Sequence, residues 1–155
     1  MTYEGIVPTL AFSPAKSRLS DLMDHVFHGH QPQVISRHGG KEQMVLVRPD
    51  DLVAMLGERR IKVEAVYDEG EVTLSVPAMG VLGFGEDLEE ATADLLVELR
   101  AYATRYFRDP ARYLATGRRE HAGPLLRFAL LDEEAQRAML LEVEEQTVPE
   151  LVGAG

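Results

Sequence analysis

The 155-residue sequence contains no cysteine, which excludes a disulfide framework, a thiolate zinc site and a cysteine nucleophile. It has no tryptophan, and aromatic residues make up only 6% of the chain, so aliphatic side chains must supply most of the core. No apolar run approaches the roughly 20 residues of a membrane-spanning helix, and residues 1–8 lack both the basic and the apolar region of a signal peptide. We therefore expect a cytoplasmic protein with no membrane partner.

Charge is divided unevenly along the chain. Residues 1–60 carry seven Lys/Arg and seven Asp/Glu, whereas residues 61–155 carry nine and nineteen, so the net charge of −10 lies in the later part. A negative net charge disfavours non-specific nucleic-acid binding by the whole chain. The electroneutral first part is not repelled by phosphate, and the acidic remainder is better suited to a basic protein partner.

The first part predicts a strand followed by a helix. A short apolar run at residues 6–12 ends at Ser13 and Pro14, which are typical of a helix start, and Gly29 closes the helix. The apolar residues of this helix share one face at a period of 3.6 residues. They are Leu19, Leu22, Met23 and Val26.

A hairpin and a short helix follow. The β-prone runs at residues 33–37 and 43–48 flank the paired glycines Gly39 and Gly40, which predicts a hairpin, and residues 52–56 predict a brief helix. The result is a β-α-β-β-α unit. A chain of roughly this length buries only about 60% of its unfolded surface, so we expect it to dimerise.

The apolar period then changes to two, which is typical of strands. Alternation over residues 61–67 and 72–76 and a third run at 81–84 predict an antiparallel meander. Asp87, with Glu90 three residues later, predicts a capping box at the start of the longest helix. Its apolar stripe consists of Leu88, Ala91, Leu95, Leu96, Leu99, Tyr102, Ala103 and Tyr106. The second unit is therefore β-β-β-α.

Residues 110–131 predict a short helical turn, a loop over 117–124 and an apolar run without a clear period. Asp132 caps a final helix that runs to about residue 146, where glutamates oppose the helix dipole. This helix either packs its apolar side on the second unit or lies on a cationic partner, and both interpretations stay open. The candidate partner-binding residues are Met139, Leu140, Glu142, Val143, Glu144 and Glu145.

One serine and five basic residues of the first unit form the candidate DNA-contact set. Its members are Ser13, Lys16, Arg18, Arg37, His38 and Lys41. Lys16 and Arg18 stand two residues apart, about 200° on a helix, so they cannot both face one surface squarely. In the functional interpretation, the lysine and arginine side chains contact DNA phosphates, and one or two side chains contact base edges. An ordinary solvated surface is the alternative.

No set of residues indicates catalysis, a metal or a cofactor. His25 and His28 are three residues apart on a helix, but no carboxylate or cysteine completes a metal site, and histidines in a last helical turn already complement the dipole. The segment Gly83-Phe84-Gly85 is too short for a phosphate loop. We therefore expect a non-catalytic protein.

The first unit resembles the Phd/YefM antitoxin family. The resemblance rests on the Ser-led helix at residues 12–26, on the strand at 32–39, which reads Pro-Gln-Val-Ile-Ser-Arg-His-Gly where the family has P-V-x-I-T-R-x-G, on the apolar strand at 45–47, and on the short helix at 51–56. It implies dimerisation and DNA binding by residues 1–58. Pro14-Ala15-Lys16 replaces the usual Glu-Ala-Arg, and Gly40 is an addition.

The second unit is similar to the HicB antitoxin family. The strand–turn–strand pattern at residues 61–77 and the sequence Gly85 to Ala91, which matches G-x-T-x-E-E-A, carry the resemblance. Asp87 stands where threonine is usual. The resemblance implies a partial RNase H-like fold without nuclease carboxylates.

The expected fold class is α+β, with three parts: residues 1–58, a HicB-like unit at 59–109, and a C-terminal extension at 110–155. The resemblances imply a bacterial antitoxin, a dimer or higher homo-oligomer that neutralises a basic toxin and represses its own promoter by binding operator DNA. The alternative is an interaction or scaffold protein of the same folds that does not bind DNA, which the departures at Pro14 and Lys16 and the overall acidity favour.

Overall fold

Two α+β units, each built on a three-stranded sheet, make up the fold. The computed structural model describes residues 6–141, and the two units divide between Met55 and Leu56.

The first unit has a mixed sheet with strand order β1-β2-β3. Strand β1 is parallel to β2, and β2 is antiparallel to β3. Gln33 is buried and its Nε2 donates to the carbonyl of Pro8 at 2.8 Å, which ties the chain before β1 to β2. The elements are β1 (Thr9–Ala11), α1 (Phe12–Ser17), α2 (Leu19–Gly29), β2 (Gln33–Arg37), β3 (Glu42–Leu46) and α3 (Pro49–Leu56).

The predicted first helix is two helices. Arg18 leaves helical geometry, with φ −122° and ψ 26°, and separates α1 from α2. Helix α1 begins at Phe12, so Ser13 lies inside its first turn instead of capping it. At the far end Gly29 is still helical, and His30, at φ 53°, adopts the left-handed conformation that ends α2.

The second unit has an antiparallel meander with strand order β4-β5-β6. The longest helix, α4, packs on one face of this sheet. The elements are β4 (Glu64–Asp68), β5 (Glu71–Val76), β6 (Val81–Gly85), α4 (Leu88–Arg108), α5 (Pro110–Leu114), a 3₁₀ turn (Gly117–His121), α6 (Ala122–Leu130) and α7 (Glu133–Leu141).

The capping box and the apolar stripe of α4 are confirmed. The Asp87 carboxylate accepts from the Glu90 N–H at 2.8 Å, and the Glu90 carboxylate accepts from the Glu86 N–H at 2.9 Å. Every predicted stripe residue is buried except Leu88, which is half-buried. The stripe meets the inward side chains of β5, so the core of the second unit lies between sheet and helix.

Strand β6 forms one edge of the meander. The N–H of Phe84 donates to the Asp94 carboxylate of α4 at 2.8 Å. A backbone donor on an edge strand thus has a partner within the unit.

The predicted loop at residues 117–124 is instead the 3₁₀ turn and the start of α6. The apolar run without a period is α6 itself, with Leu125 and Phe128 buried. Among the residues that the structure describes, no helix is long and apolar enough to cross a membrane.

Candidate functional site

The β2–β3 turn displays the candidate residues His38 and Lys41. His38, Gly39 and Gly40 all have positive φ, at 53°, 65° and 85°. The Lys41 N–H closes the turn by donating to the His38 carbonyl at 3.3 Å. The added Gly40 therefore occupies a conformation that glycine adopts without strain, and the two candidate side chains are exposed at the tip.

Arg37 of the β2–β3 hairpin contacts the first turn of α1. Its guanidinium carbon lies 5.8 Å from the ring centroid of Phe12, which precedes Ser13 in the chain. The same guanidinium pairs with Glu42, the residue directly opposite it in the β2–β3 ladder. Arg37 is therefore already bound to a carboxylate, and phosphate would have to compete with Glu42.

Lys16, Arg18 and Lys41 are exposed and form no ion pair with any residue in the range 6–141. The 200° separation expected for Lys16 and Arg18 applies to a continuous helix, whereas α1 ends at Ser17 and Arg18 has non-helical backbone angles. Their charges are available to an anionic partner.

Arg48 connects two helices of the first unit, a role that was not predicted from the sequence. Its guanidinium carbon lies 4.3 Å from the Phe27 ring centroid, and its Nη1 donates to the Phe27 carbonyl at 3.1 Å. Its Nη2 also pairs with Asp50 at 3.4 Å. The side chain joins the end of α2 to the start of α3, and a basic residue after an apolar strand was the only sequence signal.

His25 of α2 and His30, which ends that helix, have local partners. The Nε2 of His25 lies 3.2 Å from Oε1 of Gln31, and Nδ1 of His30 lies 3.1 Å from Oδ1 of Asp51. Within residues 6–141, no group of three potential ligands could hold a metal ion.

Helix α7 packs on α4 and α6. Gln136 is buried, accepts from Arg100 at 2.7 and 2.9 Å, and donates to the Phe128 carbonyl at 2.9 Å. Met139 and Leu140, at 3% and 1% exposure, lie in the core of the second unit. These two candidates therefore fill the unit's own interior rather than a partner's groove. The other candidates, Glu142, Val143, Glu144 and Glu145, lie outside the described residues.

Two buried tyrosines of α4 hold the 3₁₀ turn. The Tyr102 hydroxyl lies 2.8 Å from Nδ1 of His121, and the Tyr106 hydroxyl donates to the Arg118 carbonyl at 3.0 Å. Burial raises the pKa of both tyrosines above 10.0. Burial and, next, the Arg118 charge lower the pKa of His121 below 6.5, against the smaller opposing effects of Glu120 and the Ala78 backbone.

A PHD-like family of antitoxins, described as antitoxins of RelE/RelB toxin–antitoxin systems, matches residues 7–143. This chain belongs to that family. The match includes both units, so the chain is an antitoxin of a toxin–antitoxin system and has a toxin as its partner.

A crystal structure from Syntrophomonas wolfei subsp. wolfei, described as an antitoxin part of a proposed toxin/antitoxin system, has a similar fold. The similarity covers 86% of this antitoxin and 96% of that chain, with a TM-score of 0.74 and 17% identity. At that identity the likeness concerns the fold alone. No curated protein matches the antitoxin.

Proposed function

We propose that this antitoxin is a two-function regulator without catalytic activity. Its first unit, of the Phd/YefM type, dimerises and represses the antitoxin's own promoter. Residues 59–109, which are HicB-like, neutralise a basic toxin together with the C-terminal extension at 110–155. The family match across both units carries the proposal.

Dimerisation through the first unit is supported by how its apolar side chains divide between surface and core. Among residues 6–55, which the structure describes, only four are buried, namely Ala15, Leu22, Val26 and Val34. Eight large ones are exposed, namely Ile6, Phe12, Leu19, Met23, Phe27, Met44, Val45 and Met55. So many exposed apolar side chains are typical of a subunit interface. Leu19 and Met23, half of the apolar stripe predicted for α2, are among them.

DNA binding is supported by the exposed cations Lys16, Arg18 and Lys41 and by Arg37 beside the first turn of α1. A dimer presents each of these side chains twice, which doubles the number of phosphates within reach. So few cations predict modest affinity and a correspondingly small dependence of log affinity on log salt.

Gel-shift titration against the DNA upstream of the antitoxin's reading frame tests repression. Lys16→Ala/Arg37→Ala should weaken binding and leave rescue from the neighbouring toxin intact. Lys62→Ala/Arg137→Ala removes the same charge from the second unit and is the control. If wild-type protein does not bind even at low salt, the repressor role is wrong, and an interaction protein without DNA contact is the remaining candidate.

Toxin neutralisation is assigned to the acidic residues that follow α7, because Met139 and Leu140 are buried. A cationic toxin surface would attract Glu142, Glu144 and Glu145 and accelerate encounter. Substituting these three by glutamine should abolish rescue without affecting DNA binding. The control substitutes Glu69, Glu71 and Glu86, which are exposed elsewhere in the second unit. Equal rescue by both triple variants would exclude the assignment.

A further inference from the structure

The second unit is not uniformly acidic. Residues 58–98 contain three basic and eleven acidic side chains, whereas residues 99–131 contain seven arginines and only two acidic side chains, Asp109 and Glu120. The net charge of −10 conceals this segregation. A cationic region therefore lies inside the part of the chain that is proposed to bind a basic toxin.

Two of the seven arginines are half-buried and serve the fold. Arg100 donates to Gln136 and pairs with Glu133 at 3.6 Å, and Arg127 donates to the carbonyl of Arg59 at 3.1 Å. The other five are exposed and form no ion pair with any described residue. These five form the arginine lobe: Arg105, Arg108, Arg112, Arg118 and Arg119.

Buried groups hold the segment that carries the lobe. Tyr106 stacks on Tyr113 of α5 with ring centroids 4.7 Å apart, and its hydroxyl binds the Arg118 carbonyl. The Thr116 hydroxyl accepts from the Arg118 N–H at 3.2 Å. The backbone under Arg112, Arg118 and Arg119 is therefore ordered before any ligand arrives, which lowers the entropic cost of binding.

Helix electrostatics explain only part of the lobe. Arg105 and Arg108 lie in the last turn of the 21-residue α4, where cations complement the dipole. Arg112, Arg118 and Arg119 lie on single turns, which have little dipole to complement. Five like charges on three consecutive elements repel one another, and an anionic ligand removes that repulsion.

We propose that the arginine lobe binds the phosphate backbone of a nucleic acid. All five cations are arginine, whose planar guanidinium donates to two phosphate oxygens at once. They are spread over α4, α5 and the 3₁₀ turn instead of surrounding an apolar pocket, which suits a chain of evenly spaced phosphates. This surface goes beyond the proposed function, because it does not require the first unit to bind DNA.

Two carboxylates oppose such a ligand. Asp94 and Glu98 line the same groove of about 540 Å³ as Arg105 and Arg118. Asp94 keeps its charge while it accepts from the Phe84 N–H. Glu98 is the one of the two that can be neutralised without removing that hydrogen bond.

The test is fluorescence anisotropy of the full chain with labelled duplex DNA of about 20 base pairs, and separately with single-stranded RNA of equal length. Titrations between about 50 and 200 mM salt give the dependence of log affinity on log salt.

Two independent lobe variants are compared, Arg118→Gln/Arg119→Gln and Arg105→Gln/Arg112→Gln, so that one misfolded variant does not decide the result. The matched control is Lys62→Gln/Arg137→Gln, which removes two cations that already have carboxylate partners at 3.5 and 3.3 Å.

Each lobe variant should lower affinity about 3- to 10-fold at low salt and reduce the salt slope by about 1 to 2, whereas the control leaves the slope unchanged. Glu98→Gln should raise affinity by roughly twofold, a gain that misfolding cannot produce. The nucleic acid whose binding responds to the lobe variants, duplex DNA or RNA, identifies the source of the phosphates.

Three results would overturn the inference: no binding of either nucleic acid at the lowest salt, lobe variants that behave like the control, or full displacement by poly-L-glutamate, which would indicate an acidic protein partner. The proposed operator contact fails separately. If Lys16→Ala/Arg37→Ala abolishes DNA binding and the lobe variants do not affect it, the lobe is wrong and the promoter role stands.

Discussion

Gly83 of β6 lies directly against α4. A Cβ atom at this position would lie 2.5 Å from the backbone nitrogen of Leu95 and 2.7 Å from the carbonyl oxygen of Ala91. Gly85 is similarly close to Ala91. The segment that holds these two glycines is too short for a phosphate loop. In the structure, the glycines permit direct contact between the sheet and the helix.

Gly83→Ala should lower the free energy of unfolding by about 3 kcal/mol, because backbone atoms of α4 cannot yield without moving the helix. Urea denaturation at constant protein concentration measures the loss. Gly117→Ala is the control, since no atom lies within 4 Å of a Cβ at that position. A Gly83→Ala protein as stable as the control would mean that α4 is free to shift.

His121 makes the stability of the second unit depend on pH. Its pKa is below 6.5 in the folded chain because of burial and the Arg118 charge. As pH falls below 6.5, the unfolded chain takes up a proton at this position before the folded chain does, so the free energy of unfolding decreases. Above that pH the effect is absent.

His121→Gln should therefore show a smaller loss of stability between about pH 7 and pH 5 than the wild type. Glutamine keeps a hydrogen-bonding group beside the Tyr102 hydroxyl, which limits the structural cost. Urea unfolding across the pH series measures the difference, with His25→Gln in the first unit as the control. Identical pH profiles for wild type and His121→Gln would contradict the assignment.

Among the elements, α4 follows its sequence pattern closely and α2 follows it only in part. The α4 stripe is buried as its spacing indicates, because sheet and C-terminal helices cover it on the same chain. Leu22 and Val26 of α2 are buried, but Leu19 and Met23 from the same predicted stripe are exposed. Spacing determines which side chains share a face, whereas burial also depends on what covers that face.

Helix α6 shows a different limit. Its apolar run has no period because Leu126 and Leu130 are half-buried beside the buried Leu125 and Phe128. With few polar residues to mark an outer face, periodicity could not separate helix from strand. The arginine lobe was missed because charge was summed over residues 61–155, where nineteen acidic residues outnumber nine basic ones.

Asp87→Ala should cost about 0.5–2 kcal/mol of stability, because the Glu90 N–H at the start of α4 loses its acceptor. Asp87→Thr restores an oxygen that can cap the helix and should recover most of the loss. Thermal unfolding followed by circular dichroism distinguishes the two variants. Equal losses in both would assign the effect to charge near the helix dipole instead of to the hydrogen bond.

At the scale of the whole molecule, the two units differ in how far they bury their own apolar surface. Met23→Glu, at a position 56% exposed in the first unit, should abolish the proposed dimer, since a charge in an apolar interface is costly. Sedimentation equilibrium measures the change. Val97→Glu, at a position 60% exposed on α4, is the control. Dissociation by Val97→Glu alone would place the interface in the second unit.

The bond from Phe84 to Asp94 limits how this antitoxin associates with other chains. A free edge strand offers its backbone donors to any extended segment, which is the first step toward domain swapping and fibril growth. Here a side chain from α4 takes the place of an incoming strand at Phe84. A strand that added along β6 would therefore have to displace the Asp94 carboxylate before it could pair with the Phe84 N–H.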